Sequence, residues 1–250
     1  HTMLTVILWR ADKPFPTIIN GNQSGIPDWI TRENRIAVKA ASALKGRESD
    51  CGSHGTAIFS RYPIRNAALI PIDDGGEWFV RAPKNDGQHR VGGRMAIAAE
   101  LETPDGPLAV AAVHYESEST PATRGEQTRR MLAAMDGLYG DLPVVIGGDL
   151  NTATLAADTH SRHQRLNEPQ DDEPCFQIFA AHDYRWGDGN TGETTTRHPP
   201  NRIIRHPHKT IDWLFVRGGR LFDPAVIPAV LDDDDYLSDH DMVAAYLSLS

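Results

Sequence analysis

Pro143-Val144-Val145-Ile146 is a short run with no polar face, and it leads directly into Gly147-Gly148-Asp149-Leu150-Asn151-Thr152. A strand with one wet face alternates apolar and polar residues, whereas a wholly apolar run bounded by turn residues reads as a strand buried on both faces. Such a strand requires other layers packed above and below its sheet. The chain has room for them. At 250 residues it can bury roughly 70–75% of its unfolded surface, so no disulfide or metal is needed merely to hold a core.

Other segments support layered packing. Thr56–Ser60 reads as a strand ending at Tyr62-Pro63. Met95–Thr103 alternates, is stopped by Pro104-Asp105-Gly106-Pro107, and is followed by Leu108–His114, which together make a β-hairpin. Arg124–Tyr139 places Met131, Leu132, Met135 and Leu138 at helical spacing, with Gly140 at the stop position. Ile211–Val216 and Met242–Leu249 are further strands, and Thr31–Leu44 reads as a helix capped by Thr31. Residues 153–208 read as long polar loops with a short helix near Phe176–Ala181. With no internal repeat or linker, residues 1–250 are expected to form one domain, in which sheets pack on each other with helices outside.

Composition excludes some functions. No stretch approaches the ~18 apolar residues of a membrane span, which rules out an integral helical membrane protein. A formal net charge of −9 argues against a histone-like binder but leaves a locally basic cleft open. Cys51 and Cys175 match no metal-binding spacing and read as free thiols. Met3–Trp9 lacks the basic leader and cleavage site of a signal peptide. The cytoplasm is therefore favoured, and secretion stays open if a signal lies upstream of His1.

Each candidate chemical feature has an ordinary explanation when taken alone. Asp149 and Asn151, two apart, converge a carboxylate and an amide on one point; an Asx turn closing a strand would look the same. Asp239-His240 before the last strand resembles a simple cap, and His114 at a strand end a satisfied polar residue. Asp212 is more demanding. It sits inside the apolar stretch Ile211-Asp212-Trp213-Leu214-Phe215, where an unpaired carboxylate would cost several kcal/mol. A histidine is its natural partner, and the pair would favour an imidazolium suited to phosphate.

The features together, in order, carry a specific resemblance. Ser60-Arg61-Tyr62-Pro63, His114-Tyr115-Glu116-Ser117, Arg124 with Gln127, Gly148-Asp149-Leu150-Asn151-Thr152, Ile211-Asp212-Trp213 and Ser238-Asp239-His240 resemble the endonuclease/exonuclease/phosphatase family over residues 53–250. The resemblance implies an α/β protein: a four-layer α/β/β/α sandwich of two packed, mostly antiparallel sheets with outer helices. It also implies divalent-metal-dependent hydrolysis of a phosphodiester, with Mg²⁺ the expected cofactor and Mn²⁺ or Ca²⁺ as alternatives. By the same resemblance Asp149 would activate the attacking water and share metal binding with Asp239, and Asn151 would fix water and phosphate. His240, polarised by Asp212, would contact the phosphate, and His114 would be a second phosphate contact and a candidate general acid.

One departure stands out. Family members begin with a strand ending in Asn and a second ending in Gln-Glu, whose glutamate is the principal metal ligand. Nothing before Ser53 matches, and Glu33 and Glu48 lie in other contexts. The expectation is that the native chain continues upstream, with a degenerate, non-catalytic member as the alternative.

The substrate is less constrained. Residues 185–220 carry seven Lys or Arg against three Asp or Glu, and Arg197, Arg202 and Arg205 precede the Asp212 strand. They are candidate contacts to a DNA or RNA backbone. They could equally be a solvated loop offsetting the acidic run Asp232–Asp235. A lipid or small-molecule phosphate ester is the alternative substrate, and a monomer is the expected state.

Overall fold

The apolar run is strand β6 (Val144–Asp149), and every residue of it is buried. The computed structural model describes residues 5–9, 17–19, 56–73, 94–116, 119–152, 166, 173–196, 210–232, 235–236 and 240–249. Around β6 a five-stranded sheet takes the order β3-β4-β5-β6-β7, comprising β3 (Ile64–Pro71), β4 (Met95–Thr103), β5 (Gly106–His114) and β7 (Asp212–Arg217). All neighbours are antiparallel except β5 and β6. A parallel pair needs a crossover, here helix α1 (Pro121–Tyr139).

The two faces of this sheet bury different sets of residues, because successive side chains on a strand alternate. Ala109, Ala111, Val113, Val144, Ile146, Trp213 and Phe215 face Met131, Leu132 and Met135 of α1 and Phe176 and Phe179 of a second helix, α2 (Pro174–Ala181). Phe179 stacks on Phe215 with ring centroids 3.8 Å apart. On the opposite face, Leu108, Val110, Ala112, Val145, Leu214 and Val216 meet Leu221, Val243 and Ala245. These last belong to a second sheet, β2-β1-β11-β8, formed by β1 (Thr5–Trp9), β2 (Thr17–Ile19), β8 (Arg220–Ile227) and β11 (Met242–Ser248). The chain crosses between sheets at Gly218, whose φ of +70° suits glycine and whose Cα a side chain would push against Pro143. A two-stranded ribbon pairs β9 (Val230–Asp232) with β10 (Asp235–Tyr236).

The architecture is thus the expected α/β sandwich of two mostly antiparallel sheets with helices packed outside. The helix expected over Thr31–Leu44 lies outside the described residues. Thr56–Ser60 is not a strand; the Ser60 hydroxyl instead accepts from the Tyr62 N–H in a local turn. Strands β3 and β8 lack clean alternation, and each is interrupted for a physical reason. The β3–β4 register shifts between Arg65 and Ala68, with Asn66 at φ +44°. In β8, Asp223 at φ +48° and Pro224 fall where the pairing with β11 shifts, and an edge strand tolerates a proline there. Helix α1 starts earlier than its periodicity suggests. The Thr120 hydroxyl caps the Thr123 N–H and Pro121 occupies the first turn.

Two helix starts are joined by a buried ion pair. Arg124 donates through Nε and Nη2 to the two carboxylate oxygens of Glu173, and through Nη1 to the Ser119 carbonyl. Arg124→Met strands the Glu173 charge and should lower unfolding free energy in urea by about 3–5 kcal/mol. Adding Glu173→Met should recover most of that loss. A single-variant loss below ~1 kcal/mol would mean the pair is not what holds α1 to α2.

Candidate active site

Strand register alone sets three candidate site side chains in a row. His114 pairs with Asp149 across the parallel β5–β6 ladder, and Asp149 pairs with Asp212 across the antiparallel β6–β7 ladder. Side chains of directly opposed residues share a face. His240 comes from the other sheet's side, just before β11, and bridges to Thr196. The group therefore lies at one end of the sandwich, where both sheets contribute.

His240 Nδ1 lies 2.9 Å from Asp212 Oδ2, so the carboxylate buried in an apolar strand has the histidine partner its position demands. The hydroxyl of Thr195 accepts from the backbone N–H groups of Ile211 and Asp212, at 3.1 and 3.2 Å, fixing the start of β7. Two imidazoles converge on one oxygen of Asp149: His114 Nε2 is 3.5 Å from Oδ2 and His240 Nε2 is 4.0 Å from it. At the longer distance no direct hydrogen bond forms.

Asn151 holds Asp149 in place. Its backbone N–H donates to Asp149 Oδ1 at 2.8 Å, and its side-chain Nδ2 donates to the Tyr115 carbonyl at 3.0 Å and to Asp149 Oδ2 at 3.3 Å. Its φ of +51° is a left-handed value that Asn tolerates better than most residues. The amide expected to fix water and phosphate thus donates to protein partners. Trp213 Nε1 reaches the Thr152 hydroxyl at 2.9 Å, anchoring the chain beyond Asn151.

Burial pushes the Asp149 carboxyl up to about 7. The nearby Asp212 carboxylate adds to the rise, while His240, the Asn151 N–H and Arg94 oppose it. A carboxyl that retains its proton this far lacks sufficient positive charge nearby, and a bound cation would supply it. Asp149, Asp212 and His240 offer ligand atoms within 4.8 Å of one another. Asp212 and His240 are already hydrogen-bonded to each other. The described residues therefore fit a divalent ion held chiefly by Asp149 and retaining most of its waters, as Mg²⁺ does. β1 and β2 have the sequences TVILW and TII, with no acidic residue.

Of the expected site residues, His114, Asp149, Asn151, Asp212 and His240 come together. Asp239, Arg197, Arg202 and Arg205 lie outside the described residues, as does Cys51. Cys175 is a free, buried thiol, and burial pushes its pKa up. Arg94 escapes a reading by motif. Its Nη1 is 2.7 Å from His114 Nδ1 and its Nε donates to Glu116 Oε2 at 3.0 Å. The signal was the hairpin. Pairing Ile97 with Ala112 and continuing the register brings Arg94 and Met95 to the His114 end.

Comparison with known proteins bears on the family and the fold. The family model described as Endonuclease/Exonuclease/phosphatase family matches residues 8–240. No curated protein matches the chain. Among solved structures, an endonuclease/exonuclease/phosphatase family protein from Leptotrichia buccalis is 12% identical with a TM-score of 0.53, covering 99% of this chain and 88% of that one. A conserved protein of unknown function from Enterococcus faecalis is 14% identical at TM-score 0.53, covering 76% and 69%. An endonuclease/exonuclease/phosphatase from Bacteroides vulgatus is 18% identical at TM-score 0.51, covering 76% and 67%. At these identities the likeness concerns the fold.

The Asp149 environment has a consequence for stability in metal-free protein. The folded state keeps this proton up to about 7, whereas an ordinary aspartate releases it near 3.8. Folding stability thus falls as pH rises between those values and stays reduced above them. In EDTA, Asp149→Asn should raise Tm by a few degrees above about pH 7, with the difference vanishing below about pH 4. Equal Tm values for the two proteins at alkaline pH would show that Asp149 is not held at an electrostatic cost.

Proposed function

This chain belongs to the endonuclease/exonuclease/phosphatase family, and on that premise we propose that it is a divalent-metal-dependent phosphoesterase hydrolysing a phosphodiester, with nucleic acid as the substrate class. Two imidazole Nε2 atoms, 3.5 and 4.0 Å from one buried carboxylate oxygen, are the observation that carries this reading. Phosphodiester hydrolysis needs a group to take a proton from water and donors to meet phosphate oxygens. Asp149 and the flanking histidines are chemically suited to those tasks.

In this proposal Asp149 orients the attacking water and accepts its proton as the water oxygen bonds to phosphorus. His240, with Nδ1–H turned to Asp212, presents Nε2 to the phosphate, and the Asp212 carboxylate favours the imidazolium form. The bond from phosphorus to the leaving oxygen then breaks, and that oxygen takes up a proton from solvent water. Asn151 keeps Asp149 aimed. A divalent ion, Mg²⁺ by preference and Mn²⁺ or Ca²⁺ as substitutes, would be held by Asp149 and Asp239. Such an ion supplies charge stabilisation and a more acidic water. Arg197, Arg202 and Arg205 are proposed as backbone contacts to DNA or RNA, and residues 1–250 as one domain acting as a monomer.

A second reading, a member that binds phosphate esters without turnover, is supported by the acid-free sequences of β1 and β2. Lipid or small-molecule phosphate esters remain the alternative substrates. Among the described residues no helix is long and apolar enough to cross a membrane.

His240→Ala should lower kcat on a simple phosphodiester with Mg²⁺ by roughly 10²–10³-fold, and Asp212→Asn should reproduce much of that loss. Near-normal turnover by His240→Ala would refute the catalytic assignment. Calorimetry should find weak Mg²⁺ binding, since few oxygen ligands are preset, and tight stoichiometric binding would reveal a further ligand. Arg202→Ala and Arg205→Ala should raise KM for DNA but not for the small diester. Equal effects on both would remove the support for nucleic acid over small esters.

A further inference from the structure

The two histidines flanking Asp149 face opposite partners, and that difference has consequences for their roles. His240 Nδ1 faces a carboxylate, Asp212 Oδ2, at 2.9 Å. His114 Nδ1 faces a guanidinium, Arg94 Nη1, at 2.7 Å. A carboxylate only accepts and a guanidinium only donates. His240 must therefore carry a proton on Nδ1, and His114 must offer a lone pair there. A neutral imidazole with an acceptor at Nδ1 carries its proton on Nε2, the atom aimed at Asp149.

Arg94 is held so that it keeps this role. Its Nε donates to Glu116 Oε2 at 3.0 Å, and Glu116 is almost wholly buried. Its backbone N–H lies 3.0 Å from both carboxylate oxygens of Asp73. Gln127 of α1 ties these supports together, donating to Asp73 Oδ2 and accepting from the Glu116 N–H, each at 3.3 Å. The planar guanidinium, fixed at one edge by Glu116, presents another edge to the imidazole.

We propose that Arg94 is a positioning residue that fixes His114 as the Nε2–H tautomer, making His114 a fixed hydrogen-bond donor to the substrate. Resting on the function proposed above, His114 then meets a phosphate oxygen as a neutral donor and not as the general acid, because a neutral Nε2–H that gave up its proton would leave an imidazolate.

The test combines histidine ¹⁵N chemical shifts with kinetics. In metal-free protein at one mildly alkaline pH, His114 should show a protonated Nε2 and an unprotonated Nδ1, with the reverse for His240. Arg94→Met should turn the His114 signals into a tautomer average, and Arg94→Lys, which keeps a donor, should restore them. On a small diester, Arg94→Met should lower kcat/KM by about tenfold to a hundredfold. The Arg94→Met/His114→Ala pair should be no worse than His114→Ala alone. Because Arg94→Met strands buried Glu116, Arg94→Met/Glu116→Gln is measured alongside it and should give the same shifts. A protonated Nδ1 on His114 in the parent protein, or shifts unchanged in both Arg94 variants, would overturn the proposal. Fully additive losses for Arg94 and His114 would do the same. Absence of turnover in every variant and the parent would count against the function above while the shifts still decide the tautomer.

Discussion

Asp149 is a carboxylate withdrawn almost entirely from water at the end of a strand buried on both faces, and much of the local structure compensates for that withdrawal. An ionised carboxylate in such a place is costly without hydrogen bonds and neighbouring positive charge. Asn151 provides hydrogen bonds from both its backbone and its side chain. His114 and His240 close over one oxygen. The compensation is incomplete, as the raised pKa shows. A group left in that condition is poised to accept a proton or a cation, a property consistent with a role in hydrolysis.

The double burial of β6 has a second effect, on precision. Its two neighbours set His114 and Asp212 on either side of Asp149 by hydrogen-bonded register, and a one-residue slip would turn each side chain to the wrong face. That register is pinned by two cores at once, one against the helices and one against the second sheet. A site built on such strands is held more rigidly than one built on loops. His240 comes from outside the five-stranded sheet, and its bond to Asp212 carries the second sheet's side into the same group.

Charged and polar side chains beneath and beside the site are linked in series. Glu116, Arg94, His114 and Asp149 form one connected series, and His240 with Asp212 continues beyond it. The buried Arg124–Glu173 pair lies where α1 and α2 begin, and Gln127 of α1 contacts Glu116 and Asp73. Buried ion pairs add little net stability, but losing one partner is expensive. Their value here is orientation: each fixes the edge that the next residue presents.

The sequence by itself determined the layered core and the principal catalytic candidates. The apolar run at Val144 required layers on both faces, the hairpin was readable from its turn, and Asp212 in an apolar strand required a partner. These features were legible because they depend on local pattern or on a local violation of it. Other features were decided only by tertiary structure. β3 and β8 were hidden because positive-φ residues and register shifts break their alternation. Arg94 was hidden because the hairpin register brings it to the His114 end without saying what its guanidinium meets there. The resemblance names His240, polarised by Asp212, and His114, a candidate general acid, as phosphate contacts, and it assigns no partner to the His114 Nδ1. Which partner each Nδ1 meets, a carboxylate or a guanidinium, is a matter of strand register and packing, and that partner sets where each ring carries its proton.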